Sequence, residues 1–115
     1  MADTQILDST KKLLGIDSEY DVFDPEILVH INSVFSTLTQ LGVGPDDGFY
    51  VDEKTTWSMF LDADNRINSV KTYVYLKVRL LFDPPTTSFA IDSFKKQAEE
   101  LEWRLNVVVD VREGV

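Results

Sequence analysis

The fold is decided by residues 66–104, RINSVKTYVYLKVRLLFDPPTTSFAIDSFKKQAEELEWR. In the first half, apolar side chains recur every three or four positions, which is the spacing of one helix face. They are Ile67, Val70, Val74, Val78 and Leu81, with Tyr73, Leu76 and Leu80 widening the face. Because apolar side chains cover most of its surface, such a helix is expected to lie between neighbouring helices. We therefore predict that residues 66–82 form the buried central helix.

Asp83-Pro84-Pro85 ends this helix, because proline has no amide hydrogen and its ring clashes with the preceding turn. A second helix is predicted to start at Thr87 or Ser88 and to pack antiparallel on the first. Its apolar seam is Ile91, Phe94, Ala98, Leu101, Leu105 and Val108. The pairs with ion-pair spacing on its other face are Lys95 with Glu99, Lys96 with Glu100, and Glu100 with Arg104. Trp103 falls on that charged side, where it either covers a neighbouring loop or contacts another subunit.

Further helices are predicted upstream. Asp24-Pro25-Glu26 is a strong helix start, since proline suits the first helical position and acids favour the positive end of the helix dipole. This helix is expected to run to Leu41 and to end at Gly42. Shorter helices are predicted over residues 4–14 and 57–61. Residues 42–56 form a turn-rich loop, in which Phe49 and Tyr50 either pack on the core or contact a partner.

The C-terminal residues change character, because Val107, Val108, Val109 and Val111 are β-branched and have poor helix propensity. Either the helix frays and the valines pack locally, or the segment is an arm that adds to a partner's sheet edge. The pattern as a whole predicts an all-α fold, a small bundle of about four to five helices with a long loop after the second helix and an extended C-terminal arm. We assign the helical domain to residues 1–105 and the arm to residues 106–115.

The composition excludes several classes of protein. The 115 residues include no cysteine, and 43% are hydrophobic and 27% charged, which fits one folded domain without disulfides or thiolate metal sites. The longest apolar runs are only a few residues, so neither a signal peptide nor a membrane span is predicted. We expect a soluble protein that is made in the cytoplasm.

The net charge of −9 comes from the first half of the chain. Residues 1–53 hold 11 acidic and 2 basic side chains, whereas residues 54–115 hold 9 of each. Such a surface lacks the basic footprint that phosphate binding needs, so ordinary nucleic-acid binding is not expected. The acidic excess either keeps the protein soluble or forms a surface over which DNA slides without sticking.

No residues are arranged for catalysis, and we predict that the chain is not an enzyme. Asp62-Ala63-Asp64-Asn65-Arg66 begins like a calcium loop, but Ile67 and Tyr73 stand where that loop needs glycine and glutamate. His30 is the only histidine, and no cysteine or second histidine could complete a metal site or nucleophile pair. We therefore predict no metal and no cofactor.

Several motifs occur in an order that is shared with a known family. They are the predicted helix over residues 24–41 followed by Gly42-Val43-Gly44-Pro45, then Thr56-Trp57, Lys71-Thr72-Tyr73, Asp83-Pro84-Pro85-Thr86 and Glu100-Leu101-Glu102-Trp103-Arg104-Leu105. This combination, spread over residues 5–110, resembles the small head–tail connector proteins of tailed bacteriophages, also called adaptor, DNA-packaging or head-completion proteins. The resemblance implies a helical virion protein of the neck, made in the host cytoplasm and without a catalytic site.

The function that the resemblance implies is geometric. A homo-oligomeric, dodecameric ring would assemble under the portal protein, link head to tail, extend the DNA channel for packaging and genome ejection, and receive a stopper or tail-completion protein. DNA would pass through the lumen without sequence-specific binding, and no membrane would be involved. The arm at residues 106–115 would grip the portal.

The residues that we assign to subunit or partner contacts are Phe49, Tyr50, Arg79, Trp103, Val107, Val109 and Val111. A different class of function stays open beside the ring. In that alternative, the chain is a small helical regulatory module that binds another protein through Trp103 and the acidic helices.

Overall fold

The computed structural model describes residues 5–61 and 66–113 of the chain, with side chains up to residue 106. This described part contains five α-helices, and its β pairing is limited to an isolated bridge between Gln5 and Thr56. The helices are α1 (Ile6–Leu14), α2 (Asp24–Gln40), α3 (Trp57–Phe60), α4 (Ile67–Phe82) and α5 (Ser88–Glu113). The predicted all-α bundle with a long loop after its second helix is therefore confirmed.

The central helix is α4, which packs against α1, α2 and α5. Its buried side chains are Val70, Tyr73, Val74, Leu76 and Val78. The predicted apolar face therefore lies inside, except that Leu81 is exposed in the last turn, where it lines an open groove. Because α1 and α2 pack on each other as well as on α4, the central helix lies between that pair and α5.

Local signals end the helices close to the predicted positions. Pro25 lies in the first turn of α2, where its missing amide hydrogen has no helical partner to lose. At its carboxyl end, α4 stops at Phe82, and Asp83 serves as its C-cap before the two prolines. Residues 62–65, the first four positions of the rejected calcium-like motif, lie outside the described part.

The Asn32 side chain joins the loop between α2 and α3 to the core. The Asn32 amide nitrogen donates to the Val51 carbonyl at 2.9 Å, and the Val51 amide donates to the Asn32 amide oxygen at 2.7 Å. Val51 is fully buried, and these two bonds satisfy its backbone amide and carbonyl as a neighbouring strand would. The loop therefore needs no hairpin, and none forms within it.

The end of α5 differs from the prediction of an extended arm after Leu105, because the helix continues to Glu113. An existing helix adds residues without a new nucleation cost, and each valine lowers its stability by only about 0.5 kcal/mol relative to alanine. The valines therefore do not stop the helix. The side chains of Val107, Val109 and Val111 lie outside the described part.

The outer face of α5 also carries fewer ion pairs than its spacing predicts. Arg104 pairs with Glu100 at 2.6 Å, as predicted. Within the described part of the chain, neither Lys95 nor Lys96 forms an ion pair with a helix neighbour. Glu100 is engaged by Arg104, and exposed pairs of this kind contribute too little to hold flexible side chains together.

Candidate functional site

The acidic and histidine side chains of the described part are the candidates for a metal site. Among the described residues, no group of three acidic, histidine or cysteine side chains could hold a metal ion. His30 is half-buried on α2, with its ring centroid 6.3 Å from that of Phe82. Its surroundings are those of a packing residue. The described helices also include none with the length and hydropathy of a membrane span.

Of the two predicted loop aromatics, Phe49 packs inward and Tyr50 points outward. The Phe49 ring lies 5.5 Å from the Phe35 ring and 5.0 Å from the Phe60 ring, measured between centroids. It therefore completes the core, which is the first of the two predicted alternatives. Tyr50 is 76% exposed and remains available for a contact.

Arg79 is used within the subunit. Its Nε donates to the Asp83 carbonyl at 2.6 Å, and one terminal nitrogen donates to the Tyr75 hydroxyl at 3.1 Å. The guanidinium also lies 5.8 Å from the ring centroid of Phe94 on α5. Arg79 thus caps the carbonyl end of α4 and joins it to α5, so its geometry supports a structural role.

Trp103 is 66% exposed on the outer face of α5. This exposure leaves its ring available for the contact with another subunit that is one of the two predicted alternatives. The other predicted contacts on this helix, Val107, Val109 and Val111, lie where side chains are not described. They remain predictions.

An open groove between α2 and α5 was not predicted. It has a volume of about 590 Å³ and lies over α4. The lining residues are Ser33, Val34, Thr37, Lys77, Leu80, Leu81, Lys95, Ala98, Glu99 and Glu102. Sequence periodicity cannot show such a groove, because it depends on how far apart two helices lie on a third.

Glu102 in this groove accepts a 2.6 Å hydrogen bond from the Tyr73 hydroxyl and lies 3.8 Å from the Lys77 ammonium. Burial raises the pKa of the Tyr73 hydroxyl well above its usual range, and the negative charge of Glu102 raises it further. The phenol is therefore a fixed hydrogen-bond donor that ties α4 to α5.

Asp52 organises the end of the long loop. The Lys54 amide donates to its carboxylate at 2.8 Å, and the Thr55 hydroxyl donates at 2.9 Å. These bonds lower the pKa of Asp52, with the Lys54 amide as the largest cause. The shift is explained by a local turn and does not indicate a catalytic acid.

A chain of aromatic contacts at the surface was also missed. The Phe23 ring lies 5.8 Å from Tyr20 and 5.4 Å from Phe82, between centroids. Tyr20 and Phe23 are 50% and 40% exposed. The available signal was the segment over residues 16–26, in which acidic and apolar side chains alternate. Together, these features are those of a helical scaffold that carries several exposed aromatic side chains.

Comparison with known proteins yields no match to a curated protein and none to a solved structure. The sequence does match a family model described as phage connector protein, over residues 6–112. That match includes all five helices except the last residue of α5. It agrees with the resemblance drawn from the motifs, and it extends into the C-terminal segment. The chain therefore belongs to the phage connector protein family.

Proposed function

We propose that this chain forms a dodecameric ring beneath the portal, extends the DNA channel and receives a stopper or tail-completion protein. As a member of the phage connector family, it is a structural connector component of a bacteriophage virion, at the head–tail junction. The proposal adds the ring, its neighbours and the passage of DNA to that role. It assigns the chain a structural task and no catalytic one.

The observation that supports a portal contact is the unequal length of the two antiparallel helices. α5 has 26 residues and α4 has 16. Tyr73 is bonded to Glu102, so Ile67 at the start of α4 lies beside about residue 108 of the antiparallel α5. Further along, the Asn106 side chain reaches the Leu41 carbonyl at 3.4 Å. The last five residues of α5 thus extend past the start of α4.

Such a projecting segment suits a contact with another protein. Five helical residues extend for about 7 Å, which is enough to enter a groove on a partner. We propose residues 106–115 as the portal-binding arm, acting as a helix rather than as an added strand over the part that is helical. Val107, Val109 and Val111 would supply apolar contact area.

The distribution of charge supports a channel through which DNA slides. The excess of −9 comes from residues 1–53, and the second half of the chain is neutral. If the acidic side faces the lumen, phosphates meet no basic site at which to bind, which favours sliding. We therefore propose that the α1–α2 side of each subunit faces the lumen.

The ring is tested by mixing the full chain with its portal protein and measuring assembly by mass photometry and electron microscopy. Closed rings on the portal are expected. A chain that stays monomeric with the portal present would overturn the proposal. Binding of a single copy to some other protein, without rings, would instead support the regulatory-module alternative.

The arm is tested by deleting residues 107–115, which leaves Asn106 and its bond to Leu41 in place. Portal attachment should be lost, while the circular dichroism of the bundle changes only by the missing turns of helix. A triple substitution of Val107, Val109 and Val111 by alanine is the matched variant, because alanine keeps the helix and removes apolar area. Full attachment by the deletion variant would refute the arm.

A further inference from the structure

An aromatic patch, formed by Tyr20, Phe23, His30 and Phe82, lies where the start of α2 meets the end of α4. The rings of Tyr20, Phe23 and Phe82 contact one another in series, yet Tyr20 and Phe23 keep half or nearly half of their surface exposed. The ring of His30 also lies beside that of Phe82 and continues the series along α2. Exposed rings that are grouped in this way are typical of a surface that another protein covers.

The aromatic patch continues into the open groove between α2 and α5. Leu81, which lines the groove and is 51% exposed, precedes Phe82 in the chain. Ser33 and Val34 also line the groove, and they lie one helical turn beyond His30 on α2. The patch and the groove therefore form one surface, which follows α2 for about four helical turns, or about 20 Å.

The two ends of this surface differ in charge. Four acidic side chains adjoin the aromatic patch, either next to its residues in the chain or one helical turn away on α2, and they are Glu19, Asp21, Glu26 and Asp83. Among the described residues, none of these four forms an ion pair. The groove is balanced, since its charged lining residues are Lys77, Lys95, Glu99 and Glu102. Unpaired negative charge is therefore concentrated at the patch end.

The cations nearest in the chain to these acids are engaged or line another surface. Lys11 is buried in its ion pair with Asp24. Lys12 lines a separate depression beside α1. Arg79 donates to a main-chain carbonyl and to a tyrosine hydroxyl. The patch end therefore favours a partner segment that brings basic side chains of its own.

The patch end and the proposed portal arm lie at opposite ends of α4. Phe82 is the last residue of that helix, whereas the arm extends past its first residue, Ile67. The 16 residues of α4 separate the two by about 24 Å. If the arm grips the portal, the patch end faces away from the portal and towards the next component of the neck. This orientation favours a protein on the tail side as the occupant.

We propose that the patch and the groove together bind one segment of the stopper or tail-completion protein, and that this segment is apolar along its length and basic at one end. Its apolar side chains would cover Leu81 and the Phe23 ring. Its basic end would lie over Glu19 and Asp21, and this opposite charge would set the direction in which the segment binds. The inference rests on the proposed function and names the surface and the chemistry for one of its partners.

The sequence contains no cysteine, so one introduced thiol can identify the occupant. Leu81→Cys is labelled with a benzophenone maleimide, assembled with the portal protein and the purified tail-side protein, and irradiated. A covalent adduct with the tail-side protein is expected, and mass spectrometry should place the cross-link in an apolar segment that has basic residues at one end. The matched control is Met59→Cys, because Met59 is similarly exposed but lies on α3, outside this surface.

The cross-linking result contradicts the proposal in several cases. Adducts with the portal or with a second copy in place of the tail-side protein, or no adduct at all, would overturn it. A cross-link to a segment without basic residues would do the same, as would equal yields from Leu81→Cys and Met59→Cys.

The charge requirement is tested by the double variant Glu19→Gln with Asp21→Asn. Its rings on the portal should bind the tail-side protein about tenfold more weakly at low salt, with a smaller dependence on ionic strength. The matched control is Asp46→Asn with Asp47→Asn, which removes the same charge from the long loop at the other end of α2. Unchanged binding, or equal weakening by both double variants, would overturn the basic end of the segment.

A further variant separates this inference from the proposed function. Leu81→Asp should fold and form rings on the portal, because the side chain is half-exposed, but should bind the tail-side protein at least about tenfold more weakly. Normal binding would overturn the assigned surface while leaving the proposed function in place. Loss of the rings would place Leu81 in a contact between copies and would also overturn the inference. Wild-type rings that bind no tail-side protein would overturn both the inference and that part of the proposed function.

Discussion

The hydroxyl of Tyr73 donates a 2.6 Å hydrogen bond to the carboxylate of Glu102, joining the middle of α4 to α5. Tyr73 is fully buried, whereas Glu102 lines the open groove between α2 and α5. A bond to a charged acceptor is stronger than one between neutral groups. This contact therefore fixes the register of the two antiparallel helices that carry the projecting arm.

Replacing Tyr73 with phenylalanine should destabilise the fold by about 1–2 kcal/mol, since the ring stays packed and the charge-assisted bond is lost. Urea unfolding followed by circular dichroism measures the change. Tyr50→Phe is the matched control, because it removes an exposed hydroxyl and should leave stability unchanged. Equal stabilities of the two variants would show that the bond to Glu102 contributes nothing.

The same pair predicts a loss of stability in alkali. The usual tyrosine pKa is 10.0, and in the folded state the pKa of Tyr73 lies above it. Below pH 10 the phenol is protonated in both states, so its full contribution is present. Above pH 10 the unfolded chain releases this proton first, so stability should fall as the pH rises.

The measurement is the urea midpoint between pH 9 and pH 11, compared with that of Tyr73→Phe. The variant lacks the titrating group, so its decline should be shallower than that of the wild type. Parallel declines would assign the alkaline loss to other groups.

The helices were largely predictable because their signals are local. Pro25 and the Asp83-Pro84-Pro85 turn act within a few residues, and the apolar periodicity of α4 directly marks its buried face. The end of α5 was not predictable in this way, since weak valine propensities compete with the extension of an existing helix. The helix boundaries that proline sets were predicted well. The end of α5, which depends on a small difference in free energy, was missed.

The candidate contacts were less predictable, because they depend on partners far apart in sequence. Phe49 and Tyr50 are adjacent, and only the positions of Phe35 and Phe60 decide that one is buried. Similarly, the patch around Phe23 becomes visible only when Phe82 is brought beside it. Whether an aromatic residue is exposed depends on tertiary contacts, which the periodicity within one helix does not reveal.

A buried ion pair between α1 and α2 gives the next prediction. Lys11 is fully buried, and its ammonium lies 2.8 Å from the Asp24 carboxylate and 3.0 Å from the Ser18 carbonyl. Asp24→Asn should destabilise the fold by on the order of 3 kcal/mol, because a buried charge loses its counter-charge. Urea unfolding at low and high salt measures this cost, which should change little with ionic strength.

The matched control for that prediction is Arg104→Gln, which breaks the exposed pair with Glu100 on α5. Its cost should be below about 0.5 kcal/mol. A similarly small cost for Asp24→Asn would mean that water or the Ser18 carbonyl is sufficient to stabilise the charge of the Lys11 ammonium.

Gly44 and Gly48 provide a comparison within one loop. Both have positive φ angles, +88° and +95°, which side chains other than glycine adopt at a cost. A Cβ on Gly48 would meet no atom within 4 Å, so Gly48→Ala should cost about 1 kcal/mol. A Cβ on Gly44 would come within 2.7 Å of the Phe60 Cζ. Because Phe60 packs edge-on against Phe35 with centroids 4.7 Å apart, its ring cannot move aside without disturbing the core.

Gly44→Ala should therefore cost about 3 kcal/mol, with the excess over Gly48→Ala due to overpacking. The double variant Gly44→Ala with Phe60→Leu tests that cause, since a smaller side chain removes the clash. In a double-mutant cycle, the cost of Gly44→Ala should shrink towards that of Gly48→Ala once Phe60 is replaced. An unchanged cost would assign the penalty to the backbone at Gly44 and would remove Phe60 from the explanation.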